Sequence, residues 1–260
     1  MAQGVPRTAG RNPVRRLRDP DIKDFSLDRN DALFVDFDGT LAELGPDPDA
    51  ITLDTATASA LRALADRLAG AVAILSGRDL RDLAGRTPDD LWRAGGHGLE
   101  ILPPKRPPPD APGPPADPVL DILRAATRLP GVRLELKGPV AALHFRAAPD
   151  AEAECLAAAR AAAETSPDLV MQVGKMVVEV KPSSAHKGLT LEKLCTQRPF
   201  AGRRPVMFGD DTTDEDAILA ALRLGGMAVK VGEGESAAPV RAENPAVLRA
   251  WLAREAARIG

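Results

Sequence analysis

The stretch "DALFVDFDGTL", residues 31–41, decides the fold. Its apolar run from Ala32 to Val35 has the continuous hydrophobic character of a buried strand, and it ends in two aspartates one residue apart, Asp36 and Asp38, followed by Gly39 and Thr40. Two readings compete. Asp and Gly are common turn residues, so the strand could simply have reached solvent and turned. Alternatively, the carboxylates mark a site at the carboxyl edge of a parallel sheet, where open α/β folds place their ligands. On these residues alone both readings stand, and the rest of the chain has to separate them.

The same grammar recurs along the sequence. "TLDTATASALRALADRLA", residues 52–69, puts Leu53, Leu61, Leu64 and Leu68 on one helical stripe, with Gly70 as a stop. "AVAILSGR" reads as a second short buried strand, Ala71 to Leu75, again ending in small polar and charged residues. In "PVMFGDDTTDEDAILAALRLGG" an apolar strand to Phe208 is followed by Gly209, Asp210 and Asp211 and then by a helix to Leu224. "MAVKVG" adds a strand, and "PAVLRAWLAREAARI" an amphipathic helix. Strand, polar tip, helix, repeated, predicts an α/β fold: a doubly wound, Rossmann-like parallel sheet formed by residues 29–102 and 183–260.

Between these halves the grammar breaks. "PPKRPPPDAPGPPADP", residues 103–118, is too rich in proline for a helix or a central strand, so it reads as a stiff extended loop and a domain boundary. Beyond it, "VRLELKGPVAALHFR" predicts a hairpin turning at Gly138 and Pro139, an Ala-rich helix spans about 151–164, and "LVMQVGKMVVEVK" predicts a hairpin turning near Gly174. Residues 103–182 are therefore expected to form a smaller inserted α+β cap domain. Alternate residues of a strand share a face, so Arg133, Glu135 and Lys137 lie opposite Leu134 and Leu136, and His144 and Arg146 lie opposite Leu143 and Phe145. Lys175, Val177, Glu179 and Lys181 repeat the theme against Met176, Val178 and Val180. One face of the inserted sheet is apolar and the other carries both signs of charge. That face suits solvent or a multiply hydroxylated ligand equally well.

Composition sets the outer limits. With 260 residues, 44% hydrophobic, and a formal charge of −3, the chain can bury a real core and exerts no whole-protein pull on nucleic acid. It lacks an apolar run long enough for a membrane span and an apolar block suited to a secretory signal, which makes a cytoplasmic location the expectation and no membrane partner. Cys155 and Cys195 suggest neither a disulfide framework nor a metal pair. The basic segment "RTAGRNPVRRLRD", residues 7–19, belongs to an expected flexible tail over residues 1–28. A monomer is the default.

Taken together, the strand tips place Asp36 and Asp38, then Ser76, Gly77 and Arg78, then Lys187, then Asp210, Asp211 and Asp214 along one sheet edge. Gathered carboxylates repel unless a cation lies among them, and a hard divalent ion with oxygen ligands, most simply Mg²⁺, resolves this. His97, His144 and His186 lie too far apart in sequence to suggest zinc. Metal, Lys187 ammonium and Ser76 hydroxyl all suit phosphate oxygens. One of two neighbouring carboxylates can attack phosphorus while the other moves the proton, and the turn at Gly39 and Thr40 lets both face one space.

"DFDGTL", "SGR", "KG" and "GDDTTDE" resemble, in order, the four motifs of the haloacid dehalogenase superfamily of phosphotransferases, and the long insertion between the second and third resembles the branch with an α+β cap there. More narrowly, "AILSGRDL", "GGHGLE", "LELKGPVAALHFR", "GKMVVEVKP", "HKG" and "GDDTTDED" are similar to the trehalose-6-phosphate phosphatases, over about residues 31–235. The resemblance implies a phosphoric monoester hydrolase that uses Mg²⁺ to convert the sugar phosphate trehalose 6-phosphate to trehalose and phosphate through an aspartyl phosphate, with other sugar phosphates of the same cap class, such as sucrose phosphate, as rivals. It further implies Asp36 as nucleophile, Asp38 as general acid/base, Ser76 and Lys187 as phosphoryl holders, and metal held by Asp36, the Asp38 carbonyl and Asp210, with Asp211 and Asp214 in or near the surrounding shell. Glu135, Lys137, Lys175 and Glu179 would meet the sugar hydroxyls from the cap, beside His144 and Arg146 on the same polar face. Gly77, Arg78, Gly96, His97 and Gly98 would line the cavity from the core.

Overall fold

The computed structural model describes residues 21–45, 47–174 and 176–258. In chain order its elements are β1 (Asp31–Asp36), α1 (Thr55–Arg67), β2 (Val72–Leu75), α2 (Leu80–Arg86), β3 (Trp92–Gly95), β4 (Glu100–Leu102), α3 (Asp117–Ala126), β5 (Arg133–Lys137), β6 (Val140–His144), α4 (Glu152–Ala163), β7 (Leu169–Gly174), β8 (Val177–Pro182), α5 (Lys187–Cys195), β9 (Arg204–Gly209), α6 (Glu215–Arg223), β10 (Met227–Val231), β11 (Val240–Ala242) and α7 (Pro245–Ala257). A seven-stranded sheet runs β11-β10-β9-β1-β2-β3-β4. Its pairs are parallel except β3 with β4. Strand order reverses at β1, between β2 on one side and β9 on the other, which opens a crevice at the carboxyl ends of β1 and β9.

Local chemistry sets these elements. The Asp54 carboxylate accepts from the Thr57 amide to cap α1, and Asn244 caps α7 in the same way through Val247, with Pro245 in the first turn. β1 is buried throughout because helices cover both faces of the sheet. Phe34 stacks on Phe200 at 5.2 Å between ring centroids, and Phe208 meets Trp251 at 5.2 Å. Each such fully buried side chain contributes roughly 1.5–3 kcal/mol.

The second sheet, β5-β6-β8-β7, is antiparallel. Its registers align Leu134 with Leu143 and Leu143 with Val178, and this apolar face packs on α3 and α4 in a cluster with Leu123, Phe145, Cys155 and Val180. The opposite face aligns Arg133 with His144, and Glu135 with Ala142 and then Glu179. Period-two alternation had sorted these faces.

Three expectations are revised. Asp117 and Pro118 do not belong to the extended proline-rich loop but open α3, since a proline in a first helical turn gives up an amide that has no intrahelical partner anyway. The rest of that loop is docked, with Arg81 donating to the carbonyls of Pro109 and Asp110 at 3.3 Å each. The tail expected over residues 1–28 lies outside the described residues as far as Pro20, whereas Asp21 to Asp28 sit against the core. Ile22 and Leu27 are buried there, the Trp251 indole donates to the Phe25 carbonyl at 2.9 Å, and the Leu27 amide donates to Glu255 at 3.0 Å.

Glu255 is fully buried on α7, 3.9 Å from Arg67 and 2.8 Å from Arg258, so it ties that segment to two helices. Glu255→Ala would strand the Leu27 amide and leave Arg67 short of its partner. Urea unfolding is expected to show a loss of about 2–4 kcal/mol. A loss under roughly 0.5 kcal/mol, the range of an ordinary surface change, would show that the contact is incidental.

Candidate active site

The tips of β1 and β9 bring carboxylates together. Asp36, Asp210 and Asp214 each offer an oxygen within 4.8 Å of the others. Asp36 is the last residue of β1, and Asp210 follows β9 directly. Asp214 closes the short 3₁₀ turn leading into α6, where its Oδ2 accepts from the amides of Asp210 and Asp211 at 3.1 Å each. The Lys187 ammonium, at the start of α5, donates to Asp36 Oδ1 and Asp214 Oδ1 at 2.6 Å each.

Asp36, Asp214 and Lys187 are buried and Asp210 is half-buried, so the charges feel one another strongly. Burial, and then the Asp214 carboxylate, raise the Asp36 carboxyl well above the usual range while Lys187 pulls against them. Burial and the same neighbour push Asp210 up to about 6. Burial alone would lower Lys187, but Asp214 and Asp36 outweigh it and push its ammonium up. Asp36 Oδ2 is buried with no hydrogen-bond partner. Three carboxylates gathered within 4.8 Å, ionised at some cost, fit a hard divalent cation.

Gly39 lets Asp210 reach this place: its φ is +79°, and a Cβ there would lie 2.1 Å from Asp210 Oδ2. Thr40 donates its hydroxyl to Asp210 Oδ1 at 3.2 Å. Asp38 stands apart from the three clustered carboxylates. Both of its oxygens are held by the Arg78 fork, Nε to Oδ2 and Nη2 to Oδ1 at 2.7 Å each, while Arg78 Nη1 reaches Asp82 at 2.9 Å. Asp211 also stays outside, exposed, with its carboxylate turned to the Thr212 hydroxyl at 3.0 Å. Ser76 is fully buried at the tip of β2, its hydroxyl oxygen accepting the Arg78 amide at 3.1 Å.

Above this edge lies the polar face of the second sheet. His97 Nε2 is 2.9 Å from Glu179 Oε2, and Lys137 Nζ is 3.6 Å from Glu179 Oε1. Burial lowers the His97 pKa and favours the neutral ring beside this carboxylate. Burial would raise Glu179, but His97, Lys137 and Lys181 hold it down to about 2. The His97 ring rests on Gly77, where a Cβ would come within 2.7 Å of it. His144 and Glu135 pair at 2.7 Å on the same face. Gly98 faces Thr190, whose hydroxyl donates to its carbonyl at 2.9 Å.

The remaining sequence candidates divide. Arg146 lies just past β6, exposed, and no contact among the described residues joins it to Glu135 or Glu179. Lys175 lies outside the described residues. Two buried lysines escaped the sequence reading. Lys230 of β10 donates to the main-chain carbonyl of Asp210, and Lys181 of β8 is 5% exposed beside Glu179. Lys181 had been placed on the charged face without a role; Lys230 sits in an otherwise apolar strand, and nothing in its spacing marks it.

Comparison with known proteins adds three findings. The family model described as trehalose-phosphatase matches residues 34–246. The chain is 37% identical to the trehalose-6-phosphate phosphatase of Escherichia coli K12 over 227 residues, 85% of each chain, and 38% identical to a probable trehalose-phosphate phosphatase of Sinorhizobium fredii over 213 residues, 78% of each. Its fold is similar to the solved C-terminal domain of the C. albicans trehalose-6-phosphate phosphatase, with a TM-score of 0.73 over 89% of this chain and 93% of that one at 22% identity. Among the described residues no helix is long and apolar enough to cross a membrane.

Proposed function

The chain belongs to the trehalose-phosphatase family, and from that premise we propose that it hydrolyses trehalose 6-phosphate to trehalose and phosphate, using Asp36 as nucleophile. The observation that carries this reading is the division of labour within one carboxylate: Asp36 Oδ1 is fixed by Lys187, while Oδ2 has no partner. An oriented oxygen with a free lone pair is what attack on phosphorus requires.

In the first half-reaction Asp36 Oδ2 forms a bond to phosphorus as the bond from phosphorus to the sugar oxygen breaks, and Asp38 gives that oxygen its proton. In the second, water attacks the aspartyl phosphate, Asp38 takes the water's proton, and Asp36 is released with phosphate. Because Arg78 occupies both oxygens of Asp38, each proton transfer needs that fork to open or slide. Lys187 keeps Asp36 aligned and faces the charge that develops on the phosphoryl oxygens, and the Ser76 hydroxyl is assigned to hold the same group. Mg²⁺, held by Asp36, Asp210 and Asp214, would supply Lewis-acid stabilisation of the phosphoryl oxygens. Thr40 and Lys230 keep Asp210 in place from its side chain and its carbonyl.

In this reading the polar face of β5, β6 and β8 is the sugar side of the site and the second sheet is its cap. Carboxylates and ammonium groups gathered on one face suit disaccharide hydroxyls, and covering the phosphoryl group keeps bulk water from the aspartyl phosphate. The enzyme is proposed to act in the cytoplasm as a monomer. Glu135→Ala or Lys137→Ala is expected to lower kcat/KM for trehalose 6-phosphate about ten- to a hundredfold, the worth of one charged hydrogen bond. The same variants should change turnover of a small aryl phosphate less than about threefold, because only the sugar uses the cap. Equal losses on the two substrates would make this face structural.

A further inference from the structure

Lys181 ends the charged face of β8, one residue before Pro182, close to where the chain re-enters the first sheet's domain. It is 5% exposed, yet among the described residues its ammonium makes neither a hydrogen bond nor an ion pair. The nearest carboxylates are already engaged. Glu179 is taken by His97 and Lys137, and Asp216 of α6 lies 3.1 Å from His186. A buried ammonium whose neighbouring carboxylates are held by other partners is costly, and proteins keep one where a ligand completes it.

Building on the phosphatase reading, we propose that Lys181 is an anion ligand carried by the cap, meeting the phosphoryl group of the substrate from the side opposite Lys187. The charge of Lys187 is felt at Lys181 across the seam between the sheets. With no anion between them, two like charges push the sheets apart; a phosphate monoester turns that repulsion into two attractions. The cap would then close best on a phosphorylated sugar and loosen as phosphate departs, which ties closure to the presence of the group that reacts.

The groups facing Lys181 are Glu179 on its own strand, His97 from the turn after β3, Lys187 of α5 and Asp216 of α6. Burial first, and then the charge of Lys187, bring its pKa down to about 8 against the pull of Glu179 and Asp216. Glu179 stays ionised, His97 stays neutral and Lys187 stays charged through that range. Anion binding needs the protonated lysine, so affinity is present below this pKa and lost as pH rises through it.

The test is calorimetric titration of the full chain in Mg²⁺ with inorganic phosphate and, separately, trehalose, for wild type, Lys181→Met and Lys181→Arg. Lys181→Met is expected to weaken phosphate binding about ten- to a hundredfold with trehalose binding intact, and Lys181→Arg to hold phosphate within about threefold. Wild-type phosphate affinity should fall through about pH 8; in Lys181→Arg that fall should vanish, because a guanidinium does not titrate there. Without ligand, Lys181→Met should unfold at a higher temperature than wild type, since it removes a buried charge that forms no ion pair. Unchanged phosphate affinity in Lys181→Met, or loss of trehalose binding instead, overturns the assignment. If Lys181→Met does not fold, a wild-type pH profile that persists in Lys181→Arg overturns it equally. Wild type that binds phosphate in this way but leaves trehalose 6-phosphate unhydrolysed would overturn the substrate reading and spare the role of Lys181.

Discussion

Asp36→Asn is expected to abolish turnover, lowering kcat at least about 10⁴-fold, while leaving the protein no less stable in metal-free buffer. The two halves of this expectation share one cause. An amide of the same shape still accepts the Lys187 hydrogen bond through its oxygen, but it cannot attack phosphorus. The native carboxyl is raised well above its usual pKa by burial and by Asp214, so its ionised form burdens the metal-free fold. A group with a raised folded pKa loses stability as pH rises through that pKa, and the neutral amide escapes the loss. Rapid-quench analysis for a protein-bound phosphoryl group and urea unfolding in chelator check the two halves. Turnover within tenfold of wild type would mean that another group makes the bond to phosphorus.

Lys187→Met is expected to have the second large effect, on both activity and folding. The ammonium bridges Asp36 and Asp214 at 2.6 Å each, and all three residues are at most 3% exposed. Removing the cation leaves two buried carboxylates facing each other, at a cost of about 3–5 kcal/mol in metal-free buffer. Mg²⁺ should recover part of that stability by restoring positive charge, without recovering kcat, which should stay down at least about 10³-fold for want of the oriented nucleophile. Lowering pH should also recover stability, because the paired carboxyls are more easily protonated folded than unfolded. Urea unfolding with and without Mg²⁺ at two pH values checks each point. A variant as stable as wild type in chelator would show that the cluster relaxes without its lysine.

Much of this was legible in the sequence because periodicity and burial go together. Leu33 to Val35 and Val206 to Phe208 are buried on both sheet faces, so their strands read as unbroken apolar runs ending at the site. Glu135, His144 and Glu179 alternate with Leu134, Leu143 and Val178, and the observed registers put them on opposite faces. The motif spacing likewise located Asp36, Lys187, Asp210 and Asp214 before any contact between them was known.

Other features depend on tertiary contacts that spacing does not encode. α3 hid at the end of a proline-rich stretch because proline is harmless in a first helical turn. The segment from Asp21 to Asp28 carries only a few apolar residues, and its order comes from Glu255 and Trp251 far along the chain. Nothing in the spacing of Asp38 and Asp211 shows that one is held by Arg78 and the other turns to Thr212. The burial of Lys181 and Lys230 comes from neighbouring elements and leaves no mark in their spacing.

The central claim is the substrate, and release of phosphate from a panel of phosphoesters in Mg²⁺ tests it most directly. Trehalose 6-phosphate should lead sucrose phosphate, mannosylglycerate phosphate, glucosylglycerol phosphate and a small aryl phosphate by at least about tenfold in kcat/KM, a margin of about 1.4 kcal/mol in transition-state binding. Another sugar phosphate matching or exceeding it would contradict the account.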